Sequence, residues 1–310
     1  MHEEKTPNQI HATVGNLVMF AFSNPPRSNL CFSNAVISMF LNIPILQIIL
    51  TSNITSTSSN VKNNEIFEEL KSLCRNSQFS SQSTQKIRTL VKKKCFKAGQ
   101  TTRNFNNKLQ HDAGEFMGSM MEHLFKETTM PLDIDEKVFG GLFQETIICK
   151  CGEMKLLPIQ KLSEIWTIQV DGDNMQSCIE NFLGSEIVDL KCERCSYPKK
   201  EKQIKLIIEP KTLIIQLKRY EFDQIQQKIK KKTTSVVCPT LITLPGGSTY
   251  SLTSVLHHIG SSPDNGHYTV TLYDKENKSF FLLDDSVIDE NVIITEEMWR
   301  LSYMACYTKE

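Results

Sequence analysis

The sequence predicts an α+β fold. In the first two fifths of the chain, apolar residues recur at helical spacing. After Val138, short β-branched or alternating runs separated by turn residues take over. Helices followed by a block of strands, without strand–helix–strand alternation, argue against a doubly wound parallel sheet.

The elements follow in order. Residues 34–41, directly after Cys31, place Val36, Ile37, Phe40 and Leu41 at helical spacing. Residues 51–60 are rich in Ser, Thr and Asn and predict a loop. Residues 65–74 and 84–96 predict amphipathic helices, the second capped by Ser83 or Thr84. Residues 111–125 give the clearest helix: Ala113, Phe116, Met117, Met120 and Leu124 form one stripe, and Asp112, Glu115, Ser119 and Glu122 another. Strands are expected at 143–148, 165–170, 202–208, 212–218, 240–244, 268–274, 280–283 and 303–307. The basic run at 228–232 predicts a solvated loop.

Composition narrows the function classes. The chain has 310 residues, 40% hydrophobic and 23% charged, which excludes collagen-like, fully disordered and many-pass membrane proteins. Its 35 basic and 35 acidic residues cancel, so no global field draws it to nucleic acid or an anionic membrane. The acidic, polar start and the short apolar run at 17–22 do not fit a secretory signal. The run at 40–50 is too short to span a bilayer. The ten cysteines are therefore expected to be reduced thiols, metal ligands or a nucleophile in an intracellular protein, cytoplasmic, nuclear or both.

Cys31 lies between a turn, residues 24–30, and a helix start. A thiol there meets unpaired N–H groups and the positive end of the helix dipole, which favour the thiolate. Far downstream His267 enters one strand and Asp284 ends a neighbouring one, so nucleophile, base and orienter are all available. On spacing alone, a cysteine before a helix is more often a small buried hydrophobe than a nucleophile.

The surrounding motifs separate the two readings. Asn29-Leu30-Cys31-Phe32-Ser33-Asn34-Ala35 resembles the cysteine box of the ubiquitin-specific proteases. Gln110-His111-Asp112-Ala113-Gly114-Glu115-Phe116 is similar to that family's Asp-Ala-x-Glu-Phe helix, and residues 210–220 to its Leu-Lys-Arg strand. Tyr250-Ser251-Leu252, His258-Ile259-Gly260, Gly266-His267-Tyr268 and Leu283-Asp284-Asp285-Ser286-Val287 resemble its histidine box, and residues 302–307 its closing strand. The motifs occur in the family's order across residues 24–307.

The resemblance implies a papain-like fold with a helical thumb at about 21–137 and β fingers and palm at about 138–310, after an N-terminal extension at 1–20. It implies a monomeric thiol-dependent deubiquitinase that cleaves after the C-terminal glycine of ubiquitin and acts on ubiquitinated proteins. Neither nucleic acid nor a membrane is expected as a partner. Cys31 would be nucleophile, His267 base and Asp284 orienter, with Asp285 holding the site together. Asp112 and Glu115 would meet the arginines of ubiquitin's tail, with Gln110, His258, Gly266 and Tyr268 also on the substrate side. The family's oxyanion-hole Asn, five residues before the cysteine, is Pro26 here, and Asn24 is expected to take its place. That departure keeps one alternative open, a weak or inactive ubiquitin-binding scaffold; a further alternative is a protease for another ubiquitin-like modifier with the same Gly-Gly end.

Cys149-x-Cys151 and Cys192-x-x-Cys195 fall where the family's fingers carry a structural zinc. The second spacing fits a thiolate knuckle; the first is one residue short, although i and i+2 of a strand share a face. One structural zinc ion is expected, with no catalytic metal or organic cofactor; the other reading is a degenerate finger with four free thiols. Cys74, Cys95, Cys178, Cys238 and Cys306 lack partners at ligand spacing.

Overall fold

A computed structural model describes residues 11–14, 17–51, 65–75, 82–97, 105, 109–127, 138–262 and 265–310; most of the expected loop at 51–60 lies outside them. The hairpin β1 (His11–Val14) and β2 (Leu17–Phe20) precedes five helices: α1 (Cys31–Leu41), α2 (Pro44–Thr51), α3 (Glu65–Arg75), α4 (Gln82–Lys97) and α5 (Ala113–Glu127). Every residue of α1 is buried, as expected of a central helix that is packed all round.

The strand region runs β3 (Leu142–Ile148), β4 (Met154–Leu156), β5 (Gln160–Lys161), β6 (Ile165–Gln169), α6 (Met175–Leu183), β7 (Glu186–Val188) and β8 (Lys200–Ile208). It continues with β9 (Thr212–Lys218), β10 (Tyr220–Asp223), β11 (Lys228–Lys231), β12 (Leu241–Thr243) and β13 (Thr249–Ser262). β14 (Asn265–Asp274), β15 (Ser279–Asp284), β16 (Val287–Asp289), α7 (Glu296–Leu301) and β17 (Ser302–Lys309) complete it.

The larger sheet has the order β16-β15-β14-β13-β17-β9-β6, with β12 beside β13; only the β6–β9 pairing is parallel. A smaller antiparallel sheet, β4-β3-β8-β7 with β5 beside β3, forms the fingers. Successive strand residues face opposite sides, so the large sheet has two cores. In β17, Met304 and Cys306 pack under the helices, whereas Ala305 and Tyr307 pack on the other face with α6. α1 lies on β13, β14 and β15, which sets a helix N-terminus above the strands that carry His267 and Asp284.

Three placements differ from the sequence reading. The boundary expected at residue 20 falls inside packed structure: Leu17, Met19 and Phe20 join the helical core, and Val18 exchanges backbone hydrogen bonds with the Asn42 side chain at 2.9 and 2.8 Å. The basic run is strand β11, and Lys231 turns back onto β13. The helix expected from residue 111 begins at Ala113, with Asp112 just outside it. Among the described residues, no single helix is long and apolar enough to cross a membrane, and α1 and α2 meet at a bend of 85°.

Candidate active site

Cys31 is the first residue of α1, and Leu30 at the N-cap position supplies no side-chain cap. The first N–H groups of the helix therefore lie beside the thiol without a capping side chain to take them. The preceding turn is held by Asn24, whose Oδ1 accepts from Ser28 Oγ at 2.8 Å and from the Leu30 N–H at 2.9 Å.

His267 lies early in β14, and Asp284 is the last residue of β15. Their strands pair antiparallel with Val270 opposite Leu283, so the next step along β15 brings Asp284 to the imidazole. His267 Nε2 and Asp284 Oδ1 are 2.5 Å apart, which leaves Nδ1 for the Cys31 thiol. The neighbouring Cys31 thiol is the main cause that lifts His267 to about 9; the Asp284 bond adds to it, and burial opposes both. An imidazole held cationic can deliver a proton to a leaving group.

Asp285 takes a different direction from Asp284. It occupies the tight β15–β16 turn at φ 49°, a left-handed conformation that Asp tolerates. Its carboxylate accepts from Asn24 Nδ2 at 2.8 Å and Asn34 Nδ2 at 2.7 Å, tying the cysteine turn and α1 to the strand of the orienter. Burial is the first cause that raises its pKa; the two amide bonds oppose it. Asn34 stands in the quoted cysteine motif, yet nothing in its spacing identified this partner.

The structure divides the expected substrate-side residues. Asp112 is the cap of α5: Oδ1 accepts the Glu115 N–H at 2.8 Å, and Oδ2 accepts the Tyr303 hydroxyl, which also takes a bond from Gln216 Nε2 at 2.7 Å. Glu115 is exposed on the first turn, and Gln110 Oε1 accepts the Gly266 N–H. His258 and Tyr268 are buried, with ring centroids 4.5 Å apart, so they support the site from beneath. A Cβ on Gly266 would lie 2.4 Å from His258 Nε2, so only glycine allows this approach. Burial first, then the Lys231 charge, pushes His258 down to about 3, which keeps it neutral. Lys231 Nζ donates to the carbonyls of His258 at 2.7 Å and Gly260 at 2.9 Å, bracing the β13–β14 end next to His267.

The finger cysteines come together. One sulfur atom from each of Cys149, Cys151, Cys192 and Cys195 lies within 4.8 Å of all the others, with Cys149–Cys195 at 3.5 Å and Cys151–Cys192 at 3.7 Å. Four thiolates at about 2.3 Å from a tetrahedral zinc ion would be about 3.8 Å apart, so the set fits such an ion. The short first spacing works through a turn and not through a strand face: Gly152 at φ 83° lets its N–H reach the Cys149 carbonyl at 2.9 Å. By contrast, burial pushes Cys74 up to about 11 and Cys238 and Cys306 to about 12, which holds them as inert thiols.

Comparison with known proteins agrees with this geometry. A family model described as ubiquitin carboxyl-terminal hydrolase matches residues 26–307. Ubiquitin carboxyl-terminal hydrolase 23 of Arabidopsis thaliana is 26% identical over 231 residues, 66% of this chain and 26% of that protein. Probable ubiquitin carboxyl-terminal hydrolase 8 of Schizosaccharomyces pombe is 26% identical over 209 residues, 63% of this chain and 45% of that protein. The chain thus spans less than half the length of these relatives. Among solved structures, the SAGA Ubp8/Sgf11/Sus1/Sgf73 DUB module bound to ubiquitin aldehyde superposes with a TM-score of 0.73 at 19% identity, covering 93% of this chain and 71% of that one. That likeness shows the α+β fold.

Proposed function

The chain belongs to the ubiquitin carboxyl-terminal hydrolase family, and we propose that it is a thiol-dependent deubiquitinase, cleaving the isopeptide or peptide bond after the C-terminal glycine of ubiquitin. The observation that carries this reading is His267 hydrogen-bonded to Asp284, with the Cys31 thiol close enough on its other side to raise its pKa. Cys31 Sγ attacks the glycine carbonyl carbon, and the negative charge moves to its oxygen beside the N–H groups that begin α1. His267 gives its proton to the departing amine as the C–N bond breaks, leaving a thioester. Water then attacks the thioester, passing a proton to His267 and releasing the ubiquitin carboxylate and Cys31.

Asp112 and Glu115 lie at the start of α5, next to the Gly266 segment, and supply negative charge for an arginine-bearing tail. In the fingers, Cys149, Cys151, Cys192 and Cys195 would hold one structural zinc ion, which would clamp the two turns and supply no chemistry. Ubiquitin and ubiquitinated proteins inside the cell are the partners this reading implies.

Pro26, in the position of a side-chain oxyanion donor, favours a second reading, a ubiquitin-binding scaffold with little turnover. Fluorescent amides of ubiquitin and of rival modifiers separate these possibilities. Hydrolysis of the ubiquitin amide, lost in Cys31→Ala, supports the deubiquitinase. Binding without hydrolysis supports the scaffold, and hydrolysis of a rival amide alone overturns the ubiquitin assignment.

A further inference from the structure

The turn ahead of Cys31 is strained. The Ser28 N–H meets the Pro25 carbonyl at 2.9 Å, with Pro26 and Arg27 between them. Arg27 has φ 69°, at a turn position that favours glycine or asparagine, and Asn29 follows at φ 49°. Left-handed backbone at non-glycine residues persists where the surroundings over-determine it. Asn24 supplies part of that restraint.

Further restraint comes from Arg88 on α4, which is 1% exposed. Its Nη1 donates to the carbonyls of Ser28 at 2.8 Å and Asn29 at 3.2 Å, and Nη2 donates to the Leu109 carbonyl at 3.3 Å. The guanidinium carbon lies 4.9 Å from the centre of the Phe32 ring. One rigid fork thus joins the cysteine turn to the segment leading into Gln110 and Asp112. A lysine ammonium, a single point on a flexible stem, cannot hold the same carbonyls in a fixed plane. Burial draws the guanidinium down to about 10, with the Cys31 charge opposing that shift.

We propose that Arg88 is a positioning residue for the hydrolysis: by fixing the peptide planes of Ser28 and Asn29, it aims the first N–H groups of α1, that of Cys31 foremost, at the oxygen of the scissile carbonyl. This rests on the reading of Cys31 as nucleophile. It separates Arg88 from a general packing role, because a misaimed oxyanion donor lowers turnover while leaving the binding of ubiquitin intact.

The test compares Arg88→Lys with wild type in three measurements: kcat and KM on a fluorescent ubiquitin amide, and alkylation of Cys31 by iodoacetamide read by peptide mass spectrometry. Alkylation needs no oxyanion hole and reports the thiol alone. The expected result is a fall in kcat on the order of 100-fold, with KM and the alkylation rate within about threefold of wild type. A kcat within about threefold of wild type, a loss that falls on KM, or an equal loss in alkylation overturns the proposal. Should Arg88→Lys not fold, Arg27→Gly/Arg88→Lys decides, since glycine relieves the strained position. Folded double variant with kcat at least about tenfold above that of Arg27→Gly/Arg88→Gln, but below Arg27→Gly, supports the fork; equal kcat in all three overturns it. A wild type that neither hydrolyses the amide nor is alkylated at Cys31 removes the nucleophile reading, and this proposal with it.

Discussion

The carboxylate of Asp285 accepts a hydrogen bond from the side-chain amide of Asn24 at 2.8 Å across 261 positions of sequence. Because Asn34 donates to the same carboxylate at 2.7 Å, one half-buried acid fastens the turn before the nucleophile, the nucleophile's helix and the strand of the orienter together.

Asp285→Ala removes both bonds and leaves two amides without their acceptor. Hydrogen bonds to a charged group contribute about 1.5–3 kcal/mol each, and exposure of part of the site reduces the net, so a loss of about 2 kcal/mol is expected. Denaturant unfolding reads that loss. Steady-state kinetics should show kcat falling by about tenfold or more, since the turn carries the nucleophile. Unfolding and kinetics both unchanged would show that the carboxylate holds nothing together.

His267 has the clearest pH consequence. Its folded-state pKa of about 9 exceeds the unfolded value near 6.5. The stability it contributes is therefore fully present below pH 6.5 and is lost as pH rises through about 9. Activity should follow the same sign, with the alkaline limb of kcat/KM near 9, where the imidazolium loses its proton. Asp284→Asn removes one of the supports of the cation, so the limb should move toward neutral pH. An alkaline limb that stays in place in that variant would disprove the orienter role.

The cysteine set in the fingers predicts metal content. Protein purified without chelators should carry close to one zinc per chain, and stripping it should lower the melting temperature and the affinity for ubiquitin. A small acyl substrate that does not reach the fingers should be hydrolysed almost as before. Zinc below about a tenth of an equivalent, with all four thiols alkylated freely, would remove the assignment.

Much of this was legible in the sequence because it depends on local pattern. β9 is buried at almost every position and reads as a continuous apolar strand, while α5 shows an apolar stripe. β13 was missed as a strand because it is buried on both faces while rich in polar residues: Ser251, Thr253, Ser254, His257 and His258 all lie inside, so no alternation marks it. α6 did carry a signal, the reciprocal cap between Asn174 and Ser177, hidden in a polar stretch. α2 starts with Pro44 at its first position, a favourable start that the short apolar run did not by itself reveal.

The site divides along the same line. Cys31, His267 and Asp284 stand in recognisable words, and the structure pairs His267 with Asp284. Arg88, Asn34 and Lys231 act through carbonyls or a carboxylate far away in sequence, and such partners leave no periodicity to read. Asp112 looked like part of a helix face because its spacing to Glu115 is three; the same spacing is that of a cap to the N–H it accepts.

The central claim is that Cys31 captures the C-terminus of ubiquitin. Incubation with ubiquitin carrying a C-terminal electrophile, followed by peptide mass spectrometry, tests it most directly. The expected result is a single adduct, on Cys31, absent from Cys31→Ala although that variant still binds ubiquitin. An adduct on another cysteine, or reaction with a rival modifier and none with ubiquitin, would contradict it.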